Sequence, residues 1–272
     1  MAVNLASKYA PVVAERFETE SLTNIAFNSD FDWVGVQTVN VYSIETTPLN
    51  DYQRSGMQRY GVPQELEDTV QELRLTQDKS FSQTIDRGND ADQMNIKGAG
   101  VALDRQIRER IVPHVDTYRL ATLAANAGYS DNVLATRTNA YELFLTGQER
   151  LGDRHVPAVG RVAFLSYAYY NFLKLDPSFV QSGDASEVSL VRGVLGFVDG
   201  VPLIPVPESR LPNNAQFILV HPIAACAPVK LAEFTIHDNP PGISGNLIEG
   251  RLYHDCFVLE SKADGVYYSE RP

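Results

Sequence analysis

The stretch from Thr46 to Asp92 constrains the fold more than any other part of the chain. It carries nine acids and five bases and few large apolar side chains. Yet it contains a strand pattern, TVQELRLTQDKSFSQTI, in which Val70, Glu72, Arg74 and Thr76 alternate with Gln71, Leu73 and Leu75. Neither side of such a strand is consistently apolar, so it is expected to stand clear of a core. The run before it, WVGVQTVNVY from Trp33 to Tyr42, also alternates and is rich in β-branched residues. Together the two read as a two-stranded ribbon projecting from a body and closed by a polar tip, NDYQRSGMQRYGVPQ. A lone two-stranded hairpin is marginal in water. Something must hold it, and a neighbouring copy of the same protein is the economical candidate.

Beyond Gly88-Asn89-Asp90 the pattern becomes helical. Leu103, Ile107, Ile111, Val115 and Leu120 recur about one turn apart, with Asp104, Arg105, Arg108, Glu109 and Asp116 on other faces. Some thirty residues of helix would measure roughly 45 to 50 Å, longer than a core of this size needs. Pro113 is expected to kink it and Gly128 to follow its end. A second helix is expected over Thr136 to Arg150, burying Ala140, Leu143, Phe144 and Leu151. Then come a strand (Arg161 to Ser166), a short helix (YAYYNFLKL) and a run of strands and turns to the end. The first thirty residues read as an arm interrupted by Pro11 that lies on another surface.

Composition narrows the function classes. The 272 residues hold 23 Lys and Arg against 34 Asp and Glu, a formal net charge of −11, with 44% hydrophobic residues. That is enough apolar side chain for a real core, and too acidic for a mainly electrostatic grip on nucleic acid or anionic lipid. The two cysteines, Cys226 and Cys256, sit in apolar contexts without CxxC spacing and read as buried free thiols. No basic leader precedes a long apolar run, and no stretch approaches the roughly 20 residues needed to cross a bilayer. No membrane association is expected.

Catalytic signatures are weak. GAGVAL at Gly98 to Leu103 lacks the third glycine of a dinucleotide turn and any apolar strand before it, and no P-loop occurs. GISG at Gly242 to Gly245 falls one residue short of a nucleophile elbow. Of the five histidines, His237-Asp238 and His254-Asp255 could meet on paired strands as a metal or acid/base site, although structural histidines near strand ends are the simpler reading. Glu65, Glu67 and Asp68 cluster at the ribbon tip, where solvated or ion-paired carboxylates are the ordinary outcome. The chain is not expected to be an enzyme, and neither a cofactor nor a metal is expected.

The order of elements, together with GFVDGVPLIPVP (Gly196 to Pro207), FILVHPIAAC (Phe217 to Cys226) and LYHDCFVLESKADGVYY (Leu252 to Tyr268), resembles the major capsid proteins of tailed bacteriophages, which have the Hong Kong 97-type fold. The resemblance implies an α+β chain with an N-terminal arm (1–32), an extended β-hairpin loop with flanking strands (33–93) and a peripheral-domain spine helix (94–127). A mixed α/β axial domain (128–220) and closing strands of both domains (221–272) would follow. It further implies a tight turn within GFVDGVP and self-assembly into hexamers and pentamers of an icosahedral shell. Implied partners are a separate scaffolding protein and a portal, with double-stranded DNA enclosed without sequence-specific binding. The place would be the virion, assembled in the bacterial cytoplasm. Encapsulin shells share the fold and are the alternative. Candidate inter-subunit residues are Tyr9 and Phe17 on the arm and Arg54, Arg59, Glu65, Glu67, Asp68, Arg74 and Lys79 on the ribbon. Some family members crosslink a loop lysine to a neighbour's asparagine; Lys79 and Asn246 would be the pair here, and no such crosslink is expected.

Overall fold

A computed structural model describes residues 21–31, 33, 38–44, 46–63, 65, 68–88, 98–176 and 196–272. The chain divides into two compact units, residues 33–75 and the remainder. In the small unit, β1 (Thr38–Ile44) pairs antiparallel with β2 (Asp68–Arg74), from Thr38 opposite Arg74 to Ile44 opposite Asp68. The expected ribbon is there, but it ends sooner than its strand pattern. After Leu75 the chain enters β3 (Gln77–Asp86), which belongs to the larger unit and pairs along its whole length with a strand near the C-terminus.

The larger unit continues through α1 (Ala99–Gln106), a π-helical turn (Ile107–Ile111), α2 (Val112–Ala125), β4 (Tyr129–Asp131), α3 (Ala140–Asp153), β5 (Val162–Ser166) and α4 (Tyr167–Leu175). Then come β6 (Phe197–Val198), β7 (Val201–Val206), β8 (Ala215–Val220), β9 (Ala225–Cys226), β10 (Val229–Asp238), β11 (Gly245–His254), β12 (Phe257–Val258) and β13 (Val266–Glu270). A six-stranded sheet runs in the order β4-β13-β8-β5-β7-β6, and a three-stranded sheet in the order β10-β11-β3.

Both faces of the six-stranded sheet are covered, which explains why β5 and β8 read as continuous apolar runs. Val162 and Phe164 point to one side with Ile218, Val220, Leu120 and Leu123 of α2. Ala163 and Leu165 point to the other with Phe217, Leu219 and the buried stripes of α3 and α4. Gln216 is buried at an irregularity in the β8–β13 register; its amide donates to Val133 O and Glu270 O while its carbonyl accepts from Ala135 N. The GFVDGVP turn takes the expected form: Asp199 (φ 51°) and Gly200 (φ 74°) are both left-handed, as a two-residue turn between β6 and β7 requires.

A third core joins the three-stranded sheet to the long helix through Leu103, Ile107, Val112, Val115, Phe234, Ile248 and Leu252. Here the expected helical stripe is corrected at one position. Val112, not Ile111, is the buried residue, because Val112 N donates to Ile107 O, five residues back. The π turn absorbs one extra residue just before Pro113. The helix changes phase immediately before the proline at which a kink is expected.

Candidate assembly interface

The ribbon has two unlike faces. Tyr42 lies directly opposite Val70, Asn40 opposite Glu72 and Thr38 opposite Arg74. Tyr42 and Val70 are both exposed. The other face carries Val39 opposite Leu73 and Val41 opposite Gln71, and Leu73 and Leu75 are buried. Neither side of β2 alone is consistently apolar, since Gln71 shares the face of Leu73 and Leu75, but β1 sets Val39 and Val41 on that face, and only the register shows it.

The tip is folded on itself. Gln53 N donates to Arg59 O at 3.0 Å, Gly61 N to Gln58 O at 2.9 Å and Arg59 Nε to Gly56 O at 3.3 Å. The Tyr52 and Tyr60 rings meet edge to face at 5.0 Å. Around this framework Leu49 is 100% exposed, Met57 95% and Tyr60 85%. Large apolar side chains held outward together on one turn make it a candidate interaction surface. Burying each stabilises association by roughly 1.5–3 kcal/mol gross. Sequence reasoning dwelt on the charges of this segment and passed over these residues, although Leu49, Tyr52, Met57, Tyr60 and Val62 stand out in so polar a stretch.

The expected contact residues separate. Arg54 and Arg59 lie in the exposed tip, Arg59 spending one donor on its own turn, and Glu65 and Asp68 are exposed where the chain returns to β2. Arg74 stands six pairs from Asp68, about 20 Å along the ladder. Lys79 is not a ribbon residue: it sits on β3 opposite Leu252 of β11, in the larger unit, because the second half of the strand pattern pairs there. Tyr9, Phe17 and Glu67 lie outside the described residues.

In the larger unit, the segments on either side of residues 33–75 are fastened by buried acids. Asp116, fully buried, accepts from Ser21 Oγ (2.7 Å), Thr23 Oγ1 (2.8 Å) and Arg210 Nη1 (3.1 Å). Beside it, Arg119 Nη1 donates to Asn24 Oδ1 at 2.5 Å. Asp255 accepts from Thr76 N (2.6 Å) and Oγ1 (2.9 Å), from Tyr118 Oη (2.5 Å) and from Cys256 N (2.8 Å). Burial and the Asp255 bond push the Tyr118 hydroxyl up to about 12. So His254-Asp255 is a structural joint. His237 pairs with Leu247 while His254 pairs with Val229, so the two His-Asp pairs stand at opposite ends of the β10–β11 ladder and do not meet. Neither ring nitrogen of buried His254 has a hydrogen-bond partner among the described residues.

Among the described residues, no group of three or more His, Cys, Asp or Glu is placed to hold a metal ion, and no helix is long and apolar enough to cross a membrane. Cys226 and Cys256 are buried free thiols.

A scan of protein-family models and a search of curated proteins each find no match. Solved structures do match over most of the chain. A structure from Mycobacterium phage Che8 superposes with a TM-score of 0.72 at 18% identity, covering 91% of this chain and 89% of that one. The mature capsid asymmetric unit of bacteriophage PhiM1 gives 0.64 at 12% identity, covering 94% and 86%. A virus-like particle from Pyrococcus furiosus gives 0.59 at 11% identity, covering 98% and 100%. At such identities the likeness is one of backbone architecture: the chain has the Hong Kong 97-type capsid fold.

Proposed function

We propose that this chain is a major capsid protein that self-assembles into hexamers and pentamers, which tile the icosahedral head of a tailed double-stranded DNA bacteriophage. The observation that carries this reading is the agreement of architecture with phage structures over about nine-tenths of the chain, the 91% and 89% of the Che8 pair. The ordered ribbon tip, with its outward apolar side chains, supports it. In this reading the ribbon lies across an adjacent subunit, the N-terminal arm reaches another, and many modest contacts sum through multivalency. The role is structural and needs no catalytic group. A scaffolding protein, a portal and packaged DNA are the partners it calls for. With a net charge of −11 the wall would not hold the genome electrostatically. Packaging would then be driven by a motor at the portal.

The Pyrococcus furiosus particle, matched over its entire chain, supports an encapsulin-type shell as the second reading; its TM-score of 0.59 lies below the 0.72 of the Che8 structure and the 0.64 of the PhiM1 structure. Electron microscopy of purified protein tests the shell: closed particles or capsomers are expected, and monomers under all assembly conditions refute both readings. Deleting Asp51 to Gln64 should leave a folded, assembly-deficient protein, and normal closed shells from that variant would refute the role given to the ribbon.

A further inference from the structure

A cleft of about 190 Å³ lies between β3 and the long helix. Its floor is apolar: Phe81, Phe234, Ile111 and Leu252 line it around Gly250. Gly250 sits on the central strand directly between Phe81 and Phe234, and a Cβ there would fall 2.2 Å from one ring and 2.6 Å from the other. The glycine thus lets two aromatic rings close over the sheet, their centroids 6.1 Å apart. On the helical wall the π turn places Ile111, half-buried at the edge of the third core, beside exposed Arg110.

The rim is cationic. Lys79, Arg110 and His114 stand around the cleft, all three exposed, and among the described residues no carboxylate lines it. Nearby acids are engaged elsewhere: Asp78 is held by Arg251 at 2.6 and 3.0 Å, Glu109 by Arg105 at 2.8 Å, and Asp255 by Thr76, Tyr118 and Cys256. Burial and the charge of Lys79 hold His114 below its usual basicity, the state an arriving anion would reverse. In a chain of net charge −11, a cleft whose described lining carries the charges of Lys79 and Arg110, the basic ring of His114 and no acid is a local inversion of sign. The volume matches one ring, since a sealed apolar cavity of about 150 Å³ takes benzene. Among the described residues β3 is an edge strand, so its outer backbone groups can pair with an extended chain while alternate side chains enter pockets.

We propose that this cleft docks an extended acidic peptide segment of a partner chain, with one ring-sized apolar side chain seated over Gly250 and flanking carboxylates on Lys79, Arg110 and His114. The site goes beyond the shell reading and stands whether or not the protein forms closed particles. Isothermal titration of the unassembled full chain with acetyl-Glu-Glu-Phe-Glu-Glu-amide tests it. Analogues with Gln for every Glu, or Ala for the Phe, are each expected to bind at least tenfold more weakly. Lys79→Glu and Arg110→Glu should each weaken binding tenfold or more, with unchanged circular dichroism and thermal midpoint, while Arg110→Lys should retain most of it. The His114 imidazole resonance, assigned with His114→Gln, should titrate at higher pH when the peptide is bound. Equal binding of the Gln analogue, or unchanged binding by Arg110→Glu, overturns the proposal. So does phenylacetate binding as tightly as the peptide, which would make the cleft a small-acid site.

Discussion

His254 makes acid stability a quantitative test of the packing between the long helix and the three-stranded sheet. The ring is buried, meets His114 and Tyr118 edge to face at 6.3 and 5.7 Å, and has no hydrogen-bond partner for either nitrogen among the described residues. Burial first, then the charges of Arg119, His114 and Lys79, outweigh Asp255 and push it down from 6.5 to about 4. Because the folded value lies below the unfolded one, the unfolded chain takes up the proton first. The stability associated with neutral His254 is therefore full above about pH 6.5 and drains away as the pH falls towards 4. At 1.36 kcal/mol per unit the whole gap is worth about 3 kcal/mol, of which about 2 kcal/mol is lost between pH 7 and pH 4.5. His254→Phe keeps a ring in the same space but cannot titrate. Urea unfolding of the unassembled protein at both pH values should show wild type losing about 2 kcal/mol more than the variant, the carboxylates contributing to both alike. Equal losses in the two proteins would refute the reasoning.

Removing the acid that ties Ser21, Thr23 and Arg210 together should be costly. Asp116→Ala strands Arg210 and the neighbouring buried Arg119, and a loss of about 3–5 kcal/mol in urea unfolding is expected; a loss below about 1 kcal/mol would contradict the network. The thiols provide a probe of intactness. Burial, then Asp30 and Asp255, push Cys226 up to about 12, and burial raises Cys256 as well. An aromatic disulfide reagent at pH 8 should therefore label neither cysteine in the native protein and both in denaturant, and rapid native labelling would show that this region opens.

Elements whose cause is local were legible in the sequence. YAYYNFLKL forms α4 from its first residue to its last, and the Asp199-Gly200 turn arises from residues that tolerate positive φ. The features hidden in the sequence depend on distant partners. The division of one strand pattern at Leu75 into ribbon and body arises because Asp255, 179 residues on, captures Thr76, and β11 pairs with β3 immediately beyond it. That misplaced Lys79 as a ribbon residue. The apolar face of the ribbon required knowing that Val39 meets Leu73. The exchange of Ile111 for Val112 came from a π turn, which a 3.6-residue period cannot express. At the tip, counting charges obscured the apolar side chains that are most exposed.

The π turn also governs how the two cores of the larger unit are phased. On one side of it Leu103 and Ile107 address the three-stranded sheet; on the other, Val112 and Val115 finish that contact before Leu120 and Leu123 turn to the six-stranded sheet. One helix is thus the shared axle of two sheets, and each residue inserted or deleted along it rotates everything downstream by about 100°. A single-residue deletion between Ile107 and Ile111 would leave a smooth helix but misalign one sheet against its half of the axle. For this chain the length of that segment is as constrained as its composition.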